Sequence, residues 1–101
     1  MSLTLRQRLA YTGGVHTELG FVQMTSLSTA ILLTLPPAGT KLAFIQAETQ
    51  NVRWRSDGTS PTTSVGNILY AGDVLEYDGD VTAIKFIEVT PSAKLNIHYY
   101  G

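Results

Sequence analysis

At 101 residues the chain has the size of a single domain, because one hydrophobic core typically organises about 100–150 residues. Seven basic and eight acidic residues give a net charge of −1, which argues against the clustered basic face of a nucleic-acid-binding protein. The lack of cysteine excludes disulfides and thiolate catalysis and favours assembly in a reducing cytoplasm. We therefore expect one small domain that binds no nucleic acid.

The composition predicts a weakly charged surface. Charged residues make up 15% of the chain, against about 25% in typical globular domains, and thirteen threonines and seven serines take their place. Threonine suits the solvent-facing positions of strands, and a weakly charged surface favours contact with other subunits. The longest apolar stretch, residues 30–35, is too short to span a bilayer, and Arg6 argues against a signal peptide. We expect a soluble protein with no membrane partner.

Residues 1–14 are predicted to form an N-terminal arm or edge segment that ends at a Gly-Gly pair. Leu5 and Leu9 lie four residues apart, as on one face of a helix, whereas Leu3 and Leu5 alternate as in a strand. Both interpretations remain open, and we favour an extended arm. Because its leucines would otherwise expose apolar surface, we expect Leu3, Leu5 and Leu9 to contact a neighbouring chain.

Strand-like runs fill residues 15–101 at intervals of roughly ten residues, a spacing typical of a β-sandwich or small barrel. The run at 28–35 has the composition of a buried strand, and the last two runs are predicted to form a hairpin around a Pro-Ser turn. We predict an all-β, single-domain, jelly-roll-like β-sandwich of about seven or eight short antiparallel strands. The predicted strands are 15–24, 28–35, 41–48, 51–55, 67–77 with a turn at 71–73, 83–90 and 93–100.

Residues 51–55 show the clearest alternation between inward and outward side chains. Trp54 shares a side with Val52, which favours packing in the core. Arg53 and Arg55 point the other way, and we expect them to hold carboxylates from a neighbouring chain. An alternative is that Trp54, flanked by arginines, stacks on a sugar or a base.

Residues 56–64 contain no aliphatic or aromatic side chain, which predicts a surface loop over Ser56–Gly66. A loop of this length is a candidate contact surface. Near the end of the sequence, a Tyr-Tyr pair is a candidate sheet edge or interface anchor. The residues expected to touch a partner here are Asp57, Thr59, Pro61, Thr62, Tyr99 and Tyr100.

The densest group of titratable residues is acidic and consists of Asp73, Glu76, Asp78 and Asp80. Such a group can bind calcium or supply an acid–base pair, but the spacing of a calcium-binding loop is missing and aspartate beside glycine is typical of turns. The two histidines, His16 and His98, fall in different predicted strands without a ligand pattern. We therefore expect no catalytic residues, no metal and no cofactor.

A series of short motifs runs from residue 41 to the end: Ile45-Gln46-Ala47-Glu48, Val52-Arg53-Trp54-Arg55, Asp57-Gly58 with Pro61-Thr62, Tyr77-Asp78-Gly79, Ile84-Lys85-Phe86-Ile87, and Ala93-Lys94-Leu95-Asn96 with Tyr99-Tyr100. In their order and spacing these motifs resemble a family of small tailed-bacteriophage virion structural proteins. The resemblance implies a β-sandwich that is part of the virion, as a capsid decoration, head–tail or tail module. It supplies no catalytic residues.

The leading hypothesis is a non-enzymatic, oligomeric capsid decoration (cement) protein that is assembled in the host cytoplasm and stabilises the phage head. Its partners would be other copies of itself and capsid or other virion proteins. One alternative is a head–tail connection or tail/fibre component of the virion. Another is a glycan-binding β-sandwich module that uses Trp54 and the loop Ser56–Gly66. A weaker alternative is a metal-dependent enzyme built on the acidic group.

Overall fold

The computed structural model describes residues 16–101, which form two antiparallel sheets of four strands each. The predicted arm, residues 1–14 with Leu3, Leu5 and Leu9, lies outside the described residues. No helix occurs in residues 16–101, so the predicted all-β class is confirmed. The strands are β1 (Glu18–Met24), β2 (Ile31–Leu32), β3 (Leu42–Glu48), β4 (Val52–Arg55), β5 (Asn67–Leu69), β6 (Val74–Tyr77), β7 (Lys85–Glu88) and β8 (Lys94–Tyr100).

The strand order is that of a jelly roll. The first sheet has the order β1-β8-β3-β6, and the second has the order β2-β7-β4-β5. Successive strands therefore alternate between the two sheets, except where a hairpin joins β4 to β5. Eight strands in two sheets connected in this way make a jelly roll, so the predicted sandwich is confirmed.

The core lies between the sheets and follows from the alternation of the sequence. Along β8, Leu95, Ile97 and Tyr99 point inwards and are fully buried, and β3 contributes Ala43 and Ile45 beside them. The second sheet adds further side chains to the same cluster, among them Val52, Leu69 and Phe86. Burying a large apolar side chain contributes roughly 1.5–3 kcal/mol, so this one cluster supplies most of the driving force for folding.

The second strand is much shorter than predicted. Of the run 28–35, only Ile31 and Leu32 pair with a neighbour, and both are exposed, so the prediction of a buried strand is wrong there. Leu33 alone in this part of the run is buried. The Pro36-Pro37 pair that follows cannot donate to a ladder, which stops pairing close to Leu32.

The predicted hairpin of the last two strands is also wrong. β7 pairs with β2 and β4 in the second sheet, whereas β8 pairs with β1 and β3 in the first. The turn at Pro91-Ser92 therefore carries the chain from one sheet to the other. Turn chemistry marks where a strand ends but does not specify the partner of the next strand.

Candidate interaction surfaces

The loop Ser56–Gly66 folds back against the outer side of the second sheet and is held there by Arg53. The guanidinium of Arg53 donates from Nε to the carbonyl of Thr63 at 3.2 Å and from Nη1 to the carbonyl of Gly66 at 2.8 Å. Within the loop, Pro61 is the buried residue. Arg53 thus binds backbone carbonyls of its own chain, where the sequence led us to expect a carboxylate of a neighbour.

The ends of the loop are fixed by further bonds within the chain. Arg55 donates from Nε and Nη2 to the two carboxylate oxygens of Asp57, at 3.0 and 2.5 Å. This hydrogen bonding holds the pKa of Asp57 below its ordinary value. At the other end, Thr62 Oγ1 accepts from the backbone amides of Ser64 and Val65 at 3.3 and 2.9 Å. The carboxylate expected for Arg55 therefore comes from its own chain.

The outer surface of this clamped loop is polar. Asp57, Thr59 and Thr62 are exposed, so these three of the predicted contact residues are accessible from outside. The buried Pro61 is not accessible and serves as an anchor of the loop, which corrects its predicted role as a contact residue. A loop that is already ordered can bind a partner with little further loss of conformational entropy.

Trp54 packs from the opposite side of β4 onto the main core, in line with the prediction that it is a core residue. It remains half-buried and lies edge-on to Tyr77, with ring centroids 6.3 Å apart. The contacts with the core and with Tyr77 are those of a packing residue, and they favour this role over stacking on a sugar.

Three exposed aliphatic residues lie close together in the sequence at β2 and the segment that follows it. Ile31, Leu32 and Leu35 have 37%, 42% and 87% of their surface exposed, and we call them the aliphatic edge. Leu35 adopts a φ of 38°, in the left-handed region that costs an L-amino acid roughly 1–2 kcal/mol. Sequence reasoning missed this surface because the composition of the run is that of a buried strand. The Pro36-Pro37 pair was the signal that pairing must stop there.

The outer face of the first sheet carries side chains in rows that run across its strands. From one end to the other, the rows are Glu18, Tyr100 and Leu42; then Phe21, His98, Phe44 and Glu76; then Gln23, Asn96, Gln46 and Val74; then Lys94 and Glu48. The third row is joined by its amides, because Gln23 donates to Asn96 at 2.9 Å and Asn96 donates to Gln46 at 3.3 Å. The first two rows are mainly apolar and aromatic.

Three residues in the first two rows form what we call the outer apolar cluster. Leu42, Phe44 and Tyr100 are only 4%, 2% and 8% exposed, and the rings of Phe44 and Tyr100 meet edge-on at 5.6 Å. Beside the cluster lies a groove of about 360 Å³, walled in part by Phe44 and by the exposed Phe21 and Val74. His98 lies on the groove wall, 4.8 Å from the ring of Phe21, with its Nε2 3.9 Å from Glu18.

The two tyrosines expected to anchor an interface have different environments. Tyr99 is fully buried in the main core, where its hydroxyl donates to the carbonyl of Thr34 at 3.0 Å, so its predicted role as an interface anchor is wrong. Burial raises the pKa of Tyr99 to about 12. Tyr100 belongs to the outer apolar cluster. Both lie on β8, a central strand, and not at a sheet edge.

The acidic residues lie in and beside turns. The amide of Asp73 donates to the carbonyl of Tyr70 at 2.9 Å, closing the turn between β5 and β6. Asp80 accepts from the amide and hydroxyl of Thr82 at 2.9 and 2.6 Å, which lowers the pKa of Asp80. Within residues 16–101, no three His, Cys, Asp or Glu side chains come together as metal ligands would. The same part of the chain has no helix long and apolar enough to cross a membrane.

Comparisons with protein-family models, with curated proteins and with solved structures gave no match. The fold and these surfaces are therefore the physical basis on which a function is proposed.

Proposed function

We propose that this protein is a non-enzymatic structural component of a tailed-bacteriophage particle and that it acts as an oligomeric decoration protein that cements the head. Its partners are other copies of itself and the capsid proteins beneath it. The observation that carries the proposal is the aliphatic edge. It consists of three exposed aliphatic residues within five positions of the chain, on a domain whose overall charge is low.

The aliphatic edge has the properties of a contact surface. Exposed aliphatic groups gain roughly 25 cal/mol for each Å² that a partner removes from water. Leu35 is 87% exposed and has a left-handed backbone, a combination that contributes nothing to the stability of the isolated chain. If a neighbouring subunit buries the side chain of Leu35, the left-handed backbone conformation of this residue helps to stabilise the contact between the two subunits.

The clamped loop supplies a second, polar contact. Asp57, Thr59 and Thr62 present hydrogen-bonding groups from a segment that Arg53 already holds in place. A stable interface takes on the order of 800 Å² from each partner. That area is a large share of a chain whose whole surface is 5795 Å², so several separate surfaces of the domain would be used.

Assignment to a phage particle depends on the motif order of residues 41–101, and the jelly roll agrees with it, since this fold occurs in viral capsid domains. The same fold also occurs in lectins, so the fold alone does not decide between the two. The packing of Trp54 against the core and Tyr77 favours the structural role over a glycan-binding module.

Cementing requires only binding energy. Each copy would bridge neighbouring capsid subunits, and the buried surface would have to be re-exposed before those subunits separate. Modest contacts repeated around an oligomer give a combined avidity that a single contact does not reach.

The test is to mix purified protein with particles that lack it and to measure bound copies and the temperature at which the particles release their genome. We expect binding in fixed stoichiometry over the head and a higher release temperature. The variant Leu35→Ser should lose most of the binding. The control Tyr70→Ser removes another large exposed side chain, 55% exposed, from the turn after β5 and should bind normally.

Other outcomes reassign or reject the proposal. Binding at a single vertex or along the tail would make the protein a head–tail or tail/fibre component. Binding of a glycan that is lost with Trp54→Ala would favour the lectin-like alternative. No binding to any part of the particle would reject the virion role.

A further inference from the structure

Aspartate and asparagine are open to attack by the backbone amide of the residue that follows them. The amide nitrogen bonds to Cγ and closes a five-membered ring, unless the following side chain shields it. The chain has four aspartates and three asparagines, and all but two of them precede valine or isoleucine, whose branched Cβ crowds the amide. The shielded residues are Asn51, Asn67, Asp73, Asp80 and Asn96. The two exceptions, Asp57 and Asp78, both precede glycine.

An Asp-Gly step presents the least resistance to this ring closure. Glycine has no Cβ to shield its amide, and its backbone adopts conformations that other residues avoid. All four residues of the two steps, Asp57-Gly58 and Asp78-Gly79, are exposed, so water has access to both sites. Sequence and exposure therefore do not distinguish the two steps, whereas their hydrogen bonds do.

The carboxylate of Asp57 is held by its neighbours. Arg55 donates to both of its oxygens, from Nε at 3.0 Å and from Nη2 at 2.5 Å, and the amide of Thr59 donates to Oδ1 at 3.4 Å. The hydrogen bonds from Arg55 keep the pKa of Asp57 below its ordinary value. Ring closure expels a carboxyl oxygen and needs that oxygen protonated, so a carboxylate that is ionised and bonded at both oxygens reacts slowly.

The carboxylate of Asp78 has no such support. Within residues 16–101 it makes no hydrogen bond and no ion pair. The turn is closed instead by the residues around it, because the hydroxyl of Tyr77 donates to the carbonyl of Asp80 at 3.3 Å and Asp80 accepts from Thr82. The side chain of Asp78 is therefore not restrained from turning towards the amide of Gly79.

We propose that Asp78 is a site of spontaneous backbone modification, at which aspartate is converted to isoaspartate, and that Arg55 prevents the same reaction at Asp57. In the first step the nitrogen of Gly79 bonds to Cγ of Asp78, and the carboxyl hydroxyl leaves with the amide proton as water. In the second step water adds to the ring carbonyl that belonged to the main chain and breaks its bond to nitrogen. The water lost in the first step is regained in the second, so the mass is unchanged. The main chain becomes longer by one carbon atom.

The reaction has a spectroscopic consequence at Trp54. Gly79 lies against Tyr77, since a methyl group added at Gly79 would be 2.6 Å from the hydroxyl oxygen of that tyrosine. Tyr77 in turn lies edge-on to Trp54, with ring centroids 6.3 Å apart. An extra main-chain carbon at Asp78 displaces Gly79 and with it the ring of Tyr77. Trp54 is the one tryptophan of the chain, so its fluorescence should change as the modification accumulates. This inference is independent of the proposed role in a phage particle.

The test is to age the purified full chain for weeks in neutral buffer made with heavy-oxygen water. Electron-transfer dissociation, which distinguishes isoaspartate from aspartate, then measures the product at each position. We expect isoaspartate and heavy oxygen at Asp78, with about fivefold less at Asp57, the protection that an exposed ion pair supplies. Arg55→Met should raise the product at Asp57 to the level of Asp78 and leave Asp78 unchanged. In Asp78→Glu, whose longer side chain does not form the five-membered ring, Trp54 fluorescence should stay constant during ageing.

A sample aged in denaturant serves as the reference, because both Asp-Gly steps should react equally there. If the folded chain forms no isoaspartate at Asp78 while the denatured chain does, the folded turn blocks ring closure and the proposal is wrong. Equal amounts at Asp57 and Asp78 in the folded chain overturn the protective role of Arg55. If Arg55→Met does not fold, Arg55→Lys decides: it keeps the charge but loses the two parallel bonds, and an unchanged Asp57 in that variant contradicts the proposal.

Discussion

Gly66 is the residue at which the clamped loop comes closest to the strand beneath it. A methyl group added there would lie 3.1 Å from Cβ of Pro61 and 3.2 Å from the carbonyl oxygen of Trp54, and φ is 139°. Gly58 also has a positive φ, 87°, but open space around it. An alanine at Gly58 would be strained only by its backbone conformation, whereas an alanine at Gly66 would also be too close to its neighbours. Comparing the two variants therefore measures the effect of crowding on stability.

We expect Gly66→Ala to lower the free energy of unfolding by about 2–3 kcal/mol, since backbone strain and overpacking both act there. Gly58→Ala should cost only about 1 kcal/mol, from the backbone conformation alone. Urea denaturation of both variants measures the difference. Equal losses would show that the loop yields freely at Gly66 and is not tightly packed.

Tyr99 makes the stability of the fold sensitive to alkaline pH. Its pKa is raised to about 12 by burial, whereas a tyrosine in the unfolded chain titrates near 10. Below pH 10 the phenol is protonated in both states and has no effect on the pH dependence. Between pH 10 and 12 only the unfolded chain releases the proton, so stability should fall by about 1.4 kcal/mol per pH unit.

The variant Tyr99→Phe isolates this contribution. It loses the hydrogen bond to the carbonyl of Thr34 and should be less stable by about 1 kcal/mol at pH 8. Between pH 10 and 12 its stability should fall less steeply than that of the parent chain. If the two proteins lost stability in parallel over this range, the phenol of Tyr99 would not be the group responsible.

At the scale of elements, β4 pairs with β5 and β7 in the second sheet and also holds the loop through Arg53. Replacing Arg53 by Met removes both bonds to the loop carbonyls and should cost about 2 kcal/mol, in the range for hydrogen bonds made by charged groups. The loop should then be cleaved by a broad-specificity protease. Arg55→Met breaks only the exposed pair with Asp57, so it should cost at most about 1 kcal/mol and leave the loop resistant. Protection of the loop in both variants would mean that Pro61 and the hydrogen bonds around Thr62 are enough to hold it.

The elements that the sequence predicted best are those with unbroken alternation. β3, β4 and β8 were found within one or two residues because their apolar side chains repeat with period two. The short β2 was overestimated because its aliphatic composition is compatible with burial, and exposure depends on contacts that composition does not encode. The sheet assignment of β7 and β8 also failed, because pairing between distant strands is decided by the packing of the whole sandwich.

The candidate surfaces were predictable only in part. The sequence correctly placed Arg53 on the outer side of β4, but a guanidinium satisfies carbonyls and carboxylates alike, so its partner could not be deduced. Tyr99 and Tyr100 were treated as a pair, although the period of β8 places adjacent residues on opposite faces. The buried Leu95 and Ile97 already assigned Tyr99 to the core.

At the scale of the whole molecule, the two sheets present different outer sides. The second sheet carries the clamped loop and the aliphatic edge, and the first carries the outer apolar cluster. Because the two surfaces lie on different sheets, a substitution in one should leave the other unchanged. Leu35→Ser should impair particle binding without changing the exposure of Phe44, which lies on the first sheet.

The position of β8 between β1 and β3 also has a consequence for biosynthesis. All four strands of the second sheet have been translated by residue 88, whereas the first sheet lacks its central strand until residue 100 emerges from the ribosome. Until then β1 lacks its partner β8, and among the strands of residues 16–101 β3 can pair only with β6. Neighbouring nascent chains on one messenger RNA are therefore exposed to an exchange of β8 between copies during this interval.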